Sequence, residues 1–260
     1  MSNQYETIRY ERQGAIATIT LDRPDAVNAL SETMKKELLL AFKQVTKDRD
    51  VRCVVITGEG KAFSAGQDLL GVSEDANYAD ILRETYHPMM KALKQVPQPV
   101  VAAVNGVAAG AGMSLALACD FRLVQRDASF VSAFLNIGLV PDFGMMYSLP
   151  RLVGYAKALE ITVLGKPIDS EKAVDLGLAT EMIDKENWEI EVGEFAQRLA
   201  SIPTTSISLI KRYMMDSMNE PLDKLLEKEA DAQQVAGNSA DHKEGVQAFL
   251  EKRKPNFTGK

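Results

Sequence analysis

Cysteine, histidine and tryptophan are scarce in this chain: two, two and one in 260 residues. Cys53, in RCVVITG, and Cys119, before Asp120, sit far apart in separate apolar runs. That spacing excludes a disulfide framework and a zinc-type ligand cluster. Both are expected to be buried free thiols in a cytoplasmic protein. There is no basic excess either. Thirty Lys and Arg face 36 Asp and Glu, for a formal charge of −6, which argues against non-specific nucleic-acid binding because phosphate neutralisation needs a basic face. A local basic patch remains available at EKRK, 251–254, whose plain alternative is a solvated helix end. No apolar run approaches the ~18 residues of a membrane span. The N-terminal MSNQYETIRYERQG has no apolar core of a signal peptide, so no membrane partner is expected. Hydrophobic residues make up 46% of the chain, enough to bury a sizeable core in one domain or one domain with an appendage.

Two segments carry most of the information: AFSAGQDLL at 62–70 and PVVAAVNGVAAGAGMSLALACD at 99–120. Each runs from an apolar stretch through small residues toward an expected helix start, where free backbone N–H groups can face a developing negative charge. Two such elements in one chain suggest an oxyanion hole. A nucleotide loop fits neither. The run from Gly110 lacks the third glycine of the dinucleotide fingerprint, and Gly58-Glu59-Gly60-Lys61 lacks the spacer and the Ser or Thr of a P-loop. The plain alternative is that Gly110, Ala111 and Gly112 only let a helix pack closely on its strand.

The remaining pattern reads as an α/β core. Residues 5–12 and 14–21 alternate as a hairpin about Gln13-Gly14. Ser31 is a good helix N-cap, and Met34, Leu38, Phe42 and Val45 fall on one helical face. Residues 52–57 and 99–104 read as buried strands. Residues 72–80 read as a mobile loop leading into a helix over 78–93. From Trp188 onward the pattern is helical, with breaks at Pro203, at Pro221 and around Gly237-Asn238.

The pair FSAGQDL and PVVAAVNGVAAGAG resembles the crotonase (enoyl-CoA hydratase/isomerase) superfamily. The resemblance extends over LDRPDAVNAL at 21–30, the 138–142 turn, LGLAT at 176–180 and EGVQAFLEKRKPNF at 244–257. Within the superfamily the chain is most similar to ring 1,2-epoxyphenylacetyl-CoA isomerases. It implies an α/β spiral of β-β-α units over 1–198, with acyl-CoA binding and catalysis. A helical region over 199–260 would serve oligomerisation, in homotrimers or homohexamers, and cover the CoA pocket. No bound cofactor or metal is implied, coenzyme A being part of the thioester substrate.

The same resemblance puts the oxyanion donors at the backbone N–H of Gln67 and Ala111. It puts CoA contacts at Asp25, Ala26, Val27, Ala65, Asp68 and Leu69, and at Phe249 and Lys252. Hydratases of the family use two glutamates, whose matching positions here are Ser114 and Phe134. Without those carboxylates, addition of water loses its general base and acid. Asp142, in GLVPDFG, matches the aspartate of the epoxyphenylacetyl-CoA isomerases. Set among Phe134, Leu139, Val140, Phe143 and Met145, it is expected to be partly desolvated, with its pKa raised, and suited to move a proton between carbons. Its plain alternative is a turn or cap aspartate after Pro141. The favoured expectation is a double-bond or ring isomerisation of an unsaturated or cyclic acyl-CoA in fatty-acid or phenylacetate-type breakdown. Enoyl-CoA hydration is the alternative. Aryl-CoA dehalogenation or thioester hydrolysis, with Asp142 as nucleophile and His87 beside it, comes next. The dehalogenases carry Trp where this chain has Phe134, and a plain reading of His87, before Pro88, is a helix residue at a bend. A non-catalytic acyl-CoA-binding member of the fold is the remaining expectation.

Overall fold

The computed structural model describes residues 5–70 and 75–260. Apolar alternation gives the first hairpin, in which β1 (Ile8–Gln13) and β2 (Ile16–Leu21) pair antiparallel with Gln13 opposite Ile16. The Ser31 hydroxyl then accepts the amide of Met34 at 3.2 Å and opens α1 (Glu32–Lys47). Met34, Leu38, Phe42 and Val45 on its inner face are fully buried.

The pattern of two strands and a helical segment recurs. β3 (Cys53–Gly58) and β4 (Ala62–Ser64) lead to α2 (Tyr78–Ile81), a π-helical turn over Leu82–Tyr86 and α3 (His87–Gln95). β5 (Val100–Val104) and β6 (Val107–Ala109) lead to α4 (Ala111–Ala118), every residue of which is buried. β7 (Phe121–Gln125) and β8 (Ser129–Val131) lead through a 3-10 turn, Phe134–Ile137, to α5 (Met145–Val153) and α6 (Tyr155–Leu164). β9 (Ile168–Asp169), α7 (Ser170–Asp175) and β10 (Glu181–Ile183) close this part. The chain ends in α8 (Trp188–Ala200), α9 (Thr204–Ser217), α10 (Leu222–Gly237) and α11 (Ala240–Glu251).

The first strands of successive units build a six-stranded sheet in the order β1-β2-β3-β5-β7-β10, and the second strands build a smaller one, β4-β6-β8-β9. Pairing is parallel except at β1/β2 and β8/β9. The chain therefore winds as an α/β spiral of β-β-α units with a helical C-terminal region. Strand periodicity of two divides the large sheet between two cores. Val54, Ile56, Val100, Ala102 and Val104 face the main core, while Cys53, Val55, Val101 and Ala103 face Trp188, Phe195 and Leu199 of α8.

One expected helix is absent. After Gln67 the described residues, through Leu70, are not helical. The Asp68 carboxylate instead accepts the amide of Leu70 at 3.0 Å and pairs with Arg23 at 2.8 Å, which holds the chain in a turn. Residues 72–74 of the expected mobile loop lie outside the described residues. Among the described residues no helix is long and apolar enough to cross a membrane. No group of three or more His, Cys, Asp or Glu among the described residues is placed to hold a metal ion.

The C-terminal tail returns to the start of β3. Arg52 donates to the carbonyls of Phe257 and Ile202 and to the Thr204 hydroxyl. Buried Asp241 accepts the amides of Thr258 and Gly259, at 2.6 and 2.8 Å.

Candidate active site

The turn after β4 is fixed by Asn28, which is fully buried. Its side-chain oxygen accepts the Arg23 amide, and its nitrogen donates to the carbonyls of Glu59 and Ala62. The Ser64 hydroxyl donates to the Asn28 carbonyl at 2.8 Å and accepts the Gly66 amide at 3.2 Å. Leu30 then forms a single parallel bridge to Gln67: its amide donates to the Gly66 carbonyl, and its carbonyl accepts the Asp68 amide. In such a bridge the central residue turns its own N–H to the opposite side. The amide of Gln67 thus points away from Leu30.

On that other side lies the start of α4. Ala111 is its first residue, so the Ala111 amide has no acceptor within the helix. The two turns approach so closely that only glycine fits between them. A Cβ on Gly66 would lie 2.7 Å from the Ala109 carbonyl oxygen and 3.1 Å from the Ala111 nitrogen. A Cβ on Gly112 would lie 2.4 Å from the Ser64 carbonyl oxygen. The segments singled out in the sequence are therefore in contact.

Asp142 enters from the turn before α5. Its carbonyl accepts the Met145 amide at 2.9 Å, and Phe143 behind it takes a left-handed φ of 46°, a conformation uncommon for a residue with a side chain. Asp142 and Gln67 line one cavity of about 300 Å³, with Tyr86, Leu139, Val140 and Phe143 among its walls. Phe134 and Met145 are buried in the core but do not line it. Burial pushes the Asp142 carboxyl up to about 6, against the opposing pull of the Lys35 ammonium. Its Oδ1 is buried with no hydrogen-bond partner among the described residues. His87 is exposed and lines the same cavity.

Two further residues belong to this site and were not singled out in the sequence. Tyr86 is 1% exposed, and its hydroxyl donates to Gln67 Oε1. Its ring stands 5.4 Å from that of Phe143, and burial keeps the phenol protonated. The Lys35 ammonium lies 3.4 Å from the same Oε1 and 4.7 Å from the centre of the Tyr86 ring. A signal for Lys35 existed, since it stands at i, i+3 and i+7 with Leu38 and Phe42, a charge on an apolar helical stripe. Tyr86 had no such signal.

The other expected site residues divide into two groups. Asp25 and Ala26 lie in the short turn Pro24–Ala26, and the Val27 carbonyl accepts the Ala65 amide at 2.9 Å. Asp68 is anchored on Arg23, which holds its carboxyl below the usual range. Leu69 is half exposed next to it. These residues form one rim beyond the C-terminal end of β3. Phe249 and Lys252 are not brought to it. Their helix docks through the tail on Arg52, at the opposite end of that strand, about 20 Å away for six residues. Phe249 is 82% exposed there.

The profile of the enoyl-CoA hydratase/isomerase family matches residues 11–260. The chain is 43% identical to a "probable enoyl-CoA hydratase" of Rhodobacter capsulatus, over 98% of this chain and 99% of that one. It is 40% identical to the 1,2-epoxyphenylacetyl-CoA isomerase of Escherichia coli, over 94% and 95%. The solved structure of an enoyl-CoA hydratase from Bacillus anthracis superposes with a TM-score of 0.91 at 32% identity, covering 98% of this chain and all of that one. Sequence profile, full-length relatives and fold agree: the chain belongs to the enoyl-CoA hydratase/isomerase family of acyl-CoA enzymes.

Proposed function

We propose that the protein isomerises an unsaturated or cyclic acyl-CoA, with Asp142 as the one proton carrier. The observation that carries this reading is the cavity shared by Gln67 and the desolvated carboxyl of Asp142, whose buried Oδ1 has no hydrogen-bond partner among the described residues. The thioester oxygen would accept the amides of Gln67 and Ala111, which face the negative charge of the enolate as it forms. Ionised Asp142 takes a proton from the α- or γ-carbon: the C–H bond breaks, a carboxyl O–H forms and the electron pair moves onto the thioester oxygen. The same proton returns at the other carbon, and the double bond has moved with no water consumed. A carboxyl near 6 suits both halves of this cycle. The CoA portion would lie along the rim formed by Asp25, Ala26, Val27, Ala65, Asp68 and Leu69.

The relatives include a hydratase and an isomerase at nearly equal identity, so the choice rests on the site. Ser114, where the family's hydratases carry a glutamate, is buried with its hydroxyl on the Gly110 carbonyl at 3.3 Å. Phe134 is apolar. Exposed Phe249 and Leu250 on α11 support association of copies into a trimer or hexamer. Two buried, unpaired thiols suit the reducing cytoplasm.

The test is incubation with a β,γ-enoyl-CoA and its α,β isomer in heavy-oxygen water, with products read by mass spectrometry. A moved double bond at unchanged mass is the expected result. Uptake of labelled oxygen across the double bond would mean hydration, and the one-carrier reading would fail.

A further inference from the structure

We propose that Lys35 is a positioning residue for Asp142: a buried, fixed positive charge that keeps the carboxylate ionised and ready to accept a proton, held in place by Gln67 and Tyr86. The inference rests on the reading of Asp142 as the proton carrier and extends it to a residue on another element of the fold.

The Lys35 side chain has no exposed surface, whereas its ion-pair partner Glu32 is 56% exposed. The pair therefore places its cation inward and its anion in water, and solvent weakens Glu32 far more than it weakens Lys35. Besides the Glu32 pair, two contacts hold the ammonium. It sits 3.4 Å from Gln67 Oε1 and 4.7 Å from the centre of the Tyr86 ring, whose π-face favours a cation. Tyr86 donates its hydroxyl to the same Oε1 and makes a tilted ring contact with Phe143, the neighbour of Asp142. The Gln67 side-chain nitrogen is tied to the Asp68 carbonyl at 2.7 Å. Lysine, glutamine, tyrosine and phenylalanine thus form one continuous wall from α1 to the Asp142 turn.

Asp142 needs such a charge. Its buried Oδ1 accepts no hydrogen bond among the described residues, and the carboxyl's stabilising hydrogen bond comes from its own backbone. The titratable groups around the pair are few. Glu32 and Asp68 face Lys35, Tyr86 stands between Lys35 and Asp142 and stays neutral, and His87 lies on the exposed cavity rim. Lys35 is the one cation among these that draws the Asp142 carboxyl toward its ionised form.

The experiment follows the Asp142 carboxyl by carbon-13 NMR of aspartate-labelled full-length protein, assigned with Asp142→Asn, alongside the pH profile of kcat/KM on the isomerised enoyl-CoA. Lys35→Met should raise the carboxyl midpoint and the acid limb of the profile together, by about one pH unit. Lys35→Arg, which keeps the charge, should leave both near the parent values. Should Lys35→Met fail to fold, Glu32→Gln carries the test from the solvent side, because removing the opposing anion should lower the midpoint. An unmoved midpoint in Lys35→Met, or a rise in Glu32→Gln, overturns the inference. If Asp142→Asn loses activity while Lys35→Met leaves the midpoint unmoved, the inference alone falls. Full activity in Asp142→Asn would instead bring down the isomerase reading beneath it.

Discussion

The carboxyl of Asp142 holds its proton more tightly in the folded protein than in the unfolded chain, since burial raises it from an ordinary 3.8 to about 6. Between those values the native state binds more protons, so the contribution of this group to stability is complete below pH 3.8 and is lost as pH rises through about 6. Asp142→Asn is therefore expected to be more stable than the parent at pH 7.5, by about 2–3 kcal/mol, with the gap closing toward pH 4.5. Urea unfolding at the two pH values measures it, and identical gaps at both would contradict a desolvated carboxylate. The same variant should lose roughly 10²–10⁴ in kcat while retaining acyl-CoA binding. Gln67 separates backbone from side chain. Gln67→Pro removes the amide and should cost about 10²–10³ in rate. Gln67→Ala keeps the amide but frees Tyr86 and Lys35 from their shared acceptor, so its loss should be smaller and accompanied by a shifted acid limb. Steady-state kinetics of the pair, compared across pH, would distinguish the two roles.

Among the elements, the helices were the most legible part of the sequence. Ser31 caps α1 as its position suggested, and the breaks at Pro203, Pro221 and Gly237-Asn238 separate α8 to α11. These features are local: a hydroxyl three residues from an amide, a proline without an N–H. Ser31→Ala should accordingly lower stability by about 1 kcal/mol in thermal or urea unfolding. The small sheet was hidden because β4, β6 and β8 have three residues each, too few to show alternation. The turn after Gln67 misled for a related reason. Its amide is aimed by Leu30, on a separate stretch of chain, and no neighbouring residue announces that partner. Gly66 is where element packing meets the site. Gly66→Ala combines a φ of +96° with a contact of 2.7 Å to the Ala109 oxygen, so it should cost more than 2 kcal/mol. Activity should fall with it, because the Ala111 amide is also displaced. A variant that kept full stability and rate would show that the two turns are not rigidly apposed.

At the scale of the molecule, the spiral explains how residues 67 and 142 of a chain without tandem sequence repeats come to line one cavity, with the turn that carries residue 111 packed against residue 66. Successive units place their first strands in the large sheet and their second strands in the small one, so the turns after β4 and β6 stack. The family resemblance supplied residues for this site. Spacing alone showed two turns rich in small residues and gave no account of Lys35 or Tyr86, whose roles depend on packing between α1 and the segment after α2. The helical region adds a dependence on timing. Arg52 is made 205 residues before Phe257, whose carbonyl it binds. Synthesis runs from the N-terminus, and early parts can pack as they emerge. The guanidinium must wait in water until residue 257 has been made and has emerged, and so must the Asp241 carboxylate for Thr258 and Gly259. Seating of α11 consequently comes after the spiral has been made, and a nascent chain stalled before residue 257 would carry that spiral with its clasp still open.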